Sequence, residues 1–397
     1  MSNIAIIGAG YVGLVTGLGF AQLGHHIHFV DLDKNKVSKL KNGEIPFFEP
    51  DLDQVISDKE INARLSFSSD YSKELSKVDI VFICVQTPEG EREETNLEFL
   101  YNALGSIKES IRKDAVICIK STFPPTVLSK FKDYLYDVDN LVFNPEFLRE
   151  GSALHDFNNP DRIVIGGSKE SSVEIIANLY KDFNSKIILT DAATALLIKY
   201  LSNAYLPMRL SFVNEALQIG DSLDADIPTL IEGIGADSRI GIDYFRPSPG
   251  WGGSCFPKDI KSLKVMIDEV GLSNPIISSI NISNKKHSEW TARKVLEINS
   301  SLSKNCIVLY GASFKENTDD MRDSPTIKLY EQLKGEETNL LIYDEFNSGL
   351  PDTVTNFDEI KDALVVLMYP LNEMEIIKKK LQSKNNTIYV PWENKIL

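Results

Sequence analysis

One cysteine lies in a segment whose composition suits a reactive loop better than a strand. Cys255 is part of GGSCFPKD at residues 252–259. Glycines let the backbone approach a ligand closely, and Pro257 fits the first turn of a following helix. A nearby Lys258 and a helix N-terminus would favour the thiolate form of the cysteine. Asp259 would point back toward the loop if the helix begins directly after the cysteine. The alternative is a helix-capping turn with an incidental cysteine.

A second motif suits the binding of a dinucleotide. GAGYVG at residues 8–13 follows a strand-like run and opens a helical one. Gly8 permits a tight turn, Gly10 lets the backbone approach a pyrophosphate, and Gly13 allows close helix–strand packing. Asp31 ends the next strand-like run, where a carboxylate accepts hydrogen bonds from a ribose and repels a 2′-phosphate. The spacing therefore predicts NAD, not NADP, as the cofactor; a purely structural glycine turn is the alternative.

A nucleophilic thiol beside a nicotinamide site has a specific use. An enzyme that only interconverts an alcohol and a carbonyl needs no nucleophile. An enzyme that carries an alcohol through an aldehyde to an acid can bind the aldehyde as a thiohemiacetal, oxidise it to a thioester and hydrolyse it. The two motifs together favour this four-electron chemistry over a two-electron hydroxyacid-type dehydrogenase.

The charge balance excludes several classes of partner. The chain has 397 residues, with 42 Lys and Arg against 57 Asp and Glu, so its formal net charge is −15. Nucleic acids and anionic membranes need a basic face, and no uncharged apolar run is long enough to span a bilayer. We therefore predict no nucleic-acid partner and no membrane partner. An anionic substrate would need local Lys or Arg side chains.

The cysteines and histidines indicate neither disulfides nor a metal. Cys84, Cys118 and Cys306 lie in strand-like runs, where a buried, inert thiol is expected. We predict a reducing cytoplasm as the compartment. The five histidines show no metal-ligand spacing and are interpreted as structural or surface residues, so no metal is predicted.

The order of the predicted elements indicates an α/β fold. Strand and helix patterns alternate along the first half of the chain, which predicts a parallel sheet covered on both faces. The longest helical pattern spans residues 191–223, and strands and helices alternate again after Asn305. We predict two Rossmann-like, doubly wound domains joined by a long central helix and a small helical domain. The predicted domains are 1–190 for NAD, 191–300 for dimerisation and the nucleophile loop, and 301–397 for the nucleotide sugar.

Several motifs, taken in order, resemble one known family. They are GAGYVGL (8–14), VQTP (85–88), KST (120–122), NPEFLREGSALHDF (144–157), NPDRIVIG (159–166), K-x-x-x-N (199–203), GGSCFPKD (252–259) and SFKENTDDMRDSP (313–325). This set is similar to the UDP-glucose/GDP-mannose dehydrogenase family, and the nucleophile loop is most similar to its UDP-glucose-oxidising branch. The resemblance implies oxidation of UDP-glucose by two NAD and one water to UDP-glucuronate, through a cysteine thiohemiacetal and thioester.

The resemblance also implies roles for individual residues. The implied catalytic residues are Cys255, Lys199, Asn203, Asp259, Glu150 and Thr122. The implied NAD contacts are Gly8, Gly10, Tyr11, Val12, Gly13, Asp31, Lys36, Thr87, Thr122, Glu150, Lys258 and Arg322. The implied contacts of the nucleotide sugar are Glu146, Phe147, Leu148, Arg149, Glu150, Lys199, Asn203, Arg239, Tyr244, Phe245, Arg246, Pro247, Ser248, Gly252 and Lys315. Arg239 matches an arginine that reaches the substrate of a neighbouring subunit, which implies a homodimer.

Several positions depart from the pattern of the family, and other functions stay open. Leu196 stands where relatives usually carry Glu, Pro207 where they often carry Ala, and Trp251 where Phe or Tyr is commoner. Pro207 predicts a kink or a freed carbonyl near Asn203. The alternatives are the same chemistry on GDP-mannose or a UDP-N-acetylhexosamine, and a non-catalytic sensor of NAD or a nucleotide sugar.

Overall fold

The inner strands of the first sheet are short apolar runs, and two of them, Ile80–Ile83 and Val116–Ile119, are buried throughout. The structure is a computed structural model that describes residues 1–71, 75–108, 110–135, 140–335, 339–344, 349–350, 352–371 and 373–397. The chain divides into two units, Met1–Leu201 and Ser202–Leu397. The strands described in the first unit are β1 (Asn3–Ile7), β2 (His26–Val30), β3 (Leu65–Ser68), β4 (Ile80–Ile83), β5 (Val116–Ile119), β6 (Leu141–Phe143), β7 (Arg162–Gly167) and β8 (Lys186–Thr190).

The strand order places the ligand-binding edge of the first sheet. The order is β3-β2-β1-β4-β5-β6-β7-β8, and all neighbours are parallel except β6 and β7. The order reverses between β1 and β4, and open α/β sheets bind ligands beyond the carboxyl ends of the strands at such a point. The glycine motif follows β1, so it lies at this edge.

Helices cover the first sheet. They are α1 (Tyr11–Gln22), α2 (Lys34–Lys41), α3 (Leu52–Ser57), α4 (Lys59–Asn62), α5 (Glu98–Lys108), α6 (Ala153–Asn158) and α7 (Glu170–Leu179), with 3-10 turns at Leu75–Lys77 and Pro125–Asp133. The fully buried ring of Phe20 on α1 lies 5.4 Å from the ring of Phe82, 5.2 Å from Phe157 and 5.4 Å from Tyr180. This aromatic cluster fixes α1, and with it the glycine turn, against the sheet.

The longest helix in the described part of the chain, α8, runs from Ala192 to Ser222, and the division between the two units falls within it. Its 31 residues correspond to a length of about 46 Å. The helix continues through Pro207 and does not break there. Leu196 is buried in the apolar core of the first unit, which explains how an apolar residue is accommodated at this position.

The second unit contains a smaller sheet of the same kind. Its further helices are α9 (Ile227–Gly235), α10 (Phe256–Glu269), α11 (Pro275–Leu302), α12 (Pro325–Leu333) and α13 (Met374–Gln382), with a 3-10 turn at Phe357–Glu359. Its described strands are β9 (Cys306–Tyr310), β10 (Asn339–Tyr343), β11 (Thr353–Val354), β12 (Leu364–Leu367), β13 (Thr387–Val390) and β14 (Lys395–Ile396). The order is β11-β10-β9-β12-β13-β14, with only β14 antiparallel to its neighbour. The predicted α/β class, with two mainly parallel sheets and a long central helix, is confirmed.

The cysteines are placed almost as predicted. Cys84 and Cys118 are buried, and burial raises the pKa of the Cys84 thiol to about 12. Cys306 is only half-buried, because it is the first residue of the strand β9. None of the helices in the described part of the chain is long and apolar enough to cross a membrane.

One histidine of the second unit is held in its neutral form inside the fold. His287 on α11 is 1% exposed. Its Nε2 lies 2.7 Å from the carbonyl oxygen of Ser248, and its Nδ1 lies 2.9 Å from Nε2 of Gln218. A carbonyl only accepts, so Nε2 carries the proton and Nδ1 accepts from the amide. Burial lowers the pKa of His287 to about 4.

This buried imidazole makes stability depend on pH. Its folded-state pKa lies below the unfolded value of about 6.5, so as pH falls from about 6.5 toward 4 only the unfolded chain takes up the proton. We expect the free energy of unfolding to fall by about 2 kcal/mol between pH 7.5 and pH 5 from this group. Urea unfolding at both pH values checks this. His287→Gln should lose this part of the pH dependence, whereas the same change at exposed His26 should keep it.

Candidate active site

The glycine turn after β1 has the shape that a pyrophosphate requires. Gly8 has φ +92°, and Gly10 precedes α1 without any side-chain cap. A Cβ added to Gly13 would lie 1.9 Å from the carbonyl oxygen of Gly8, whereas a Cβ on Gly10 would meet no described atom within 4 Å. Gly13 is therefore needed for packing, and Gly10 borders open space at a helix N-terminus, where anions bind. Tyr11 and Val12 form the first residues of α1 at this point.

The other predicted NAD contacts of the first unit lie at the ends of neighbouring strands. Asp31 directly follows β2, and its Oδ2 accepts a hydrogen bond from the N–H of Ala9 at 2.8 Å and from Nζ of Lys36 at 2.9 Å. Thr87 follows β4 and donates through Oγ1 to the carbonyl oxygen of Thr122, which follows β5, at 2.8 Å. These residues and the glycine turn fit a dinucleotide, because they place a carboxylate and backbone N–H groups at the edge where the strand order reverses.

Glu49 is a residue of the site that the sequence alone did not identify. Its side chain is buried, and Oε2 accepts from the hydroxyl of Tyr11 at 2.7 Å and the N–H of Gly151 at 2.6 Å. Oε1 accepts from the N–H of Ala153, the first residue of α6, at 2.6 Å. Burial and this carboxylate raise the pKa of Tyr11. Glu49 thus ties the glycine turn to the end of the 146–150 loop, which contains Glu150.

The 146–150 loop is fixed by a buried ion pair. Glu146 accepts from Nζ of Lys199 on α8 at 2.8 Å, and its second oxygen accepts from the N–H of Leu148 at 2.7 Å. The ring of Phe147 lies 3.6 Å from the guanidinium carbon of Arg162. Arg149 donates to Asp156 from both its backbone and its side chain. The structure therefore brings together Glu146, Lys199 and the loop in the first unit.

Cys255 lies at the N-terminus of a helix, as its sequence context predicts. It is the N-cap of α10, its side chain is exposed, and Pro257 is in the first turn. Asp259, one turn along, is 2% exposed. Its two oxygens accept from Nδ2 of Asn203 at 2.7 Å and from Nζ of Lys258 at 2.6 Å. The second unit thus presents an exposed thiol and, one turn away, a buried carboxylate held by an amide and an ammonium group.

Gly252 is required by a close backbone contact, and Gly253 bonds to the same neighbouring segment. A Cβ on Gly252 would lie 2.0 Å from the carbonyl oxygen of Asp323, and the N–H of Gly253 donates to the carbonyl oxygen of Arg322 at 3.1 Å.

The side chain of Arg322 pairs with Asp320 at 2.7 Å. The ammonium group of Lys315 lies 5.6 Å from the centre of the Phe314 ring.

The remaining predicted substrate contacts differ in exposure. Tyr244 and Arg246 are exposed, Ser248 is half-buried, and Phe245 and Pro247 are buried. A buried Phe245 can offer a ligand little more than its backbone. Arg239 is exposed and pairs with Asp237 at 2.6 Å.

Asp344, which the sequence alone did not identify either, repeats the geometry of Asp31. Asp344 follows β10, and its Oδ2 accepts from the N–H of Ala312 at 2.6 Å. Ala312 follows Gly311, which has φ +104° and directly follows β9. Both sheets therefore tie the turn after their first strand to a carboxylate after the neighbouring strand. The sequence signal that could have identified Asp344 is an aspartate directly after a strand-like run.

In the described part of the chain, no group of three or more His, Cys, Asp or Glu could hold a metal ion.

Comparisons with known proteins identify the family. Three domain descriptions of the UDP-glucose/GDP-mannose dehydrogenase family match: the NAD binding domain at 2–184, the central domain at 193–286 and the UDP binding domain at 308–368. A UDP-glucose 6-dehydrogenase of Rickettsia bellii is 38% identical over 362 residues, which cover 89% of this chain and 83% of the relative. The chain belongs to this family. It is an NAD-dependent dehydrogenase, and NAD is its cofactor.

Solved structures show the same architecture. A UDP-glucose dehydrogenase from the archaeon Pyrobaculum islandicum matches with a TM-score of 0.87 and 27% identity, over 100% of this chain and 95% of that chain. A UDP-N-acetyl-mannosamine dehydrogenase from Staphylococcus aureus matches with a TM-score of 0.79 and 26% identity, over 93% of this chain and 88% of that chain.

Two glycine substitutions should separate folding from cofactor binding. Gly13→Ala forces a Cβ against the Gly8 carbonyl, and we expect a loss of about 1–3 kcal/mol in stability. Gly10→Ala adds a Cβ where the protein leaves room, so its melting temperature should change little while its Kd for NAD rises at least about tenfold. Thermal unfolding and NAD titration of both variants check this. Normal NAD binding by Gly10→Ala would contradict the assignment.

Proposed function

We propose that the enzyme oxidises UDP-glucose to UDP-glucuronate, consuming two NAD and one water. The observation that carries the proposal is the exposed Cys255 thiol at the N-terminus of α10, with the buried Asp259 carboxylate one turn away. The relatives named as UDP-glucose 6-dehydrogenases support this choice of sugar. A sensor of NAD or of a nucleotide sugar would have no use for the thiol.

The role of Cys255 follows from the chemistry of an aldehyde. NAD, when bound, accepts a hydride in each of the two oxidations. The Cys255 thiolate forms a bond to the aldehyde carbon and gives a thiohemiacetal, whose oxidation leaves a thioester. Water then attacks the thioester carbon, the C–S bond breaks, and the product leaves as a carboxylate. An exposed thiol is required, because the sulfur must reach the sugar.

Asp259 orients the groups that act beside Cys255. Its two oxygens are engaged by Asn203 and Lys258, so the carboxylate has a fixed orientation. An amide nitrogen carries two hydrogens, and the bond to Asp259 aligns the second hydrogen of Asn203. We assign Asp259 to orienting or activating water, and Glu150 and Thr122 to the water path and the nicotinamide.

Lys199 and Asn203 stabilise the negative charge that develops on the reacting oxygen. They are four residues apart on α8 and so share one face of it. The ion pair with Glu146 fixes Lys199 as Asp259 fixes Asn203. A positioned donor of this kind typically contributes about 3 kcal/mol to stabilising the transition state.

The nucleotide-sugar contacts are assigned to the residues that match the motifs of the family. We propose that residues 146–150, residues 244–248, Gly252 and Lys315 hold the sugar nucleotide, with Lys315 and Arg239 supplying positive charge to the diphosphate.

The segments 1–190, 191–300 and 301–397 each contain one of the three family matches, which supports three functional parts. In the described part of the chain the four cysteines form no disulfide, which supports a reducing cytoplasm.

A different sugar is the second candidate. The Staphylococcus aureus relative of similar fold acts on UDP-N-acetyl-mannosamine. The same cysteine chemistry would serve that substrate, since only the pocket for the ring substituents needs to differ. GDP-mannose is the other sugar to test.

Stoichiometry and a sulfur substitution test the proposed reaction together. We expect two NADH per UDP-glucose consumed, and a loss of at least about 10³-fold in overall turnover for Cys255→Ala and Cys255→Ser, because the aldehyde can no longer form a thioester. Cys306→Ser, at the other thiol that is not fully buried, is the control and should retain activity. One NADH per sugar, or an active Cys255→Ala, would refute the mechanism; a preference for another nucleotide sugar would refute only the substrate.

We also propose that two copies of the chain pair through α8. Five large apolar side chains with heptad-like spacing are exposed along and just beyond this helix, namely Leu201, Tyr205, Phe212, Ile219 and Leu223. They share one face, and an exposed apolar stripe of this size favours association. Arg239 would then act on the substrate of the partner.

A charge in the stripe tests the homodimer. Phe212→Glu would bury a carboxylate in the interface, so we expect a monomer in sedimentation or light-scattering measurements at concentrations where the unsubstituted protein is a dimer. Ile376→Glu, at an exposed residue of α13, is the matched control and should leave the dimer intact. A dimeric Phe212→Glu protein would contradict the proposed interface.

A further inference from the structure

The backbone of Ser248, seven residues before Cys255, is held on both sides by buried side chains. Its N–H donates to Oδ1 of Asn214 on α8 at 2.9 Å, and its carbonyl oxygen accepts from Nε2 of His287 on α11 at 2.7 Å. Asn214 is fully buried and His287 is 1% exposed. Each hydrogen bond is therefore formed away from water, where leaving a partner unsatisfied is costly.

Trp251 is held in the same way, three residues further along. Its N–H donates to Oδ1 of Asn284 at 3.1 Å, and its carbonyl oxygen accepts from Nδ2 of the same amide at 2.8 Å. Its indole N–H donates to Oγ of Ser211 on α8 at 3.0 Å. The ring is buried, so this residue is an attachment point of the loop.

These contacts compensate for the flexibility of the glycines that lie between Ser248 and Cys255. Gly250 has φ +150° and Gly253 has φ +91°, conformations that residues with side chains rarely adopt. A segment of this kind has many accessible conformations when it is not restrained. We use the name polar anchor for Ser211, Asn214, Asn284 and His287, which restrain it from α8 and α11.

We propose that the polar anchor positions the nucleophile loop for catalysis, and that His287 is its principal positioning residue. His287 acts through the backbone at Ser248 and not on the substrate, and its Nε2–H is the group that matters. This inference rests on the proposed function, because it assumes that Cys255 is the nucleophile. A displacement of about 1 Å at a reacting atom can lower a rate about a hundredfold.

Two substitutions of His287 separate its two hydrogen bonds. Gln places a nitrogen near the position of Nε2 and can still donate to the Ser248 carbonyl, but it loses the bond to Gln218. Asn reaches only the position of Nδ1, so it keeps the bond to Gln218 and loses the one to the loop. Both variants remove one hydrogen bond and the aromatic ring, and so have similar structural costs.

We expect His287→Gln to retain kcat within about threefold and His287→Asn to lose about ten- to hundredfold, with similar melting temperatures and with the KM for NAD nearly unchanged. The rate at which iodoacetamide alkylates Cys255, with Cys255→Ala as the blank, should be near normal in His287→Gln and altered severalfold in His287→Asn. The proposal would be overturned if both variants lost kcat equally and in parallel with a fall in melting temperature. It would also be overturned if neither variant lost kcat.

The controls keep this result separate from the proposed function. The unsubstituted protein is assayed in parallel for two NADH per sugar, and a failure there refutes the reaction, while the alkylation rates still report on the loop. If His287→Asn does not fold, Ser211→Ala removes one bond from the same loop and should lower kcat in the same direction, by less. An unchanged kcat and alkylation rate in Ser211→Ala would then count against the polar anchor.

Discussion

The loops of the candidate site contain backbone N–H and C=O groups that no strand or helix can satisfy, and buried side chains must satisfy them instead. Asp31 accepts from Ala9 in the first sheet, and Asp344 accepts from Ala312 in the second. Glu49 accepts from the backbone of two residues that follow Glu150. The same requirement explains why the site is rich in polar residues whose contacts are with the backbone of the protein.

Glycine and these polar side chains depend on one another. A glycine turn allows the close approach that a pyrophosphate or a nucleophile loop needs, but it supplies no side chain to hold its own conformation. The carboxylates and amides that hold it must come from neighbouring elements. This is why Gly8 and Gly311, which each follow the first strand of a sheet, are both accompanied by an aspartate after the neighbouring strand. The repeated arrangement indicates a constraint of the doubly wound fold itself.

The predictions from sequence succeeded where the signal was local. The glycine motif, Pro257 after the cysteine and the apolar pattern of residues 191–223 each lie within a few turns of chain, and the α/β fold follows from their order. Glu49 was missed because its partners Gly151 and Ala153 are more than 100 residues away. His287 was interpreted only as structural or on the surface, since one histidine in a helical pattern carries no sign that its partner is a carbonyl 39 residues earlier. Long-range satisfaction of the backbone has no pattern in a single sequence.

Ion pairs at the surface and a buried ion pair have different consequences for a chain of net charge −15. Arg239 with Asp237 and Arg322 with Asp320 have exposed guanidinium groups, and exchanging such a carboxylate for a phosphate oxygen costs little. Lys199 with Glu146 is buried, and separating a buried pair leaves an uncompensated charge. The exposed arginines are therefore suited to exchange partners for an anionic ligand. The buried lysine is suited to keep a fixed position, so the depth of each pair, more than its charge, decides which role its cation can take.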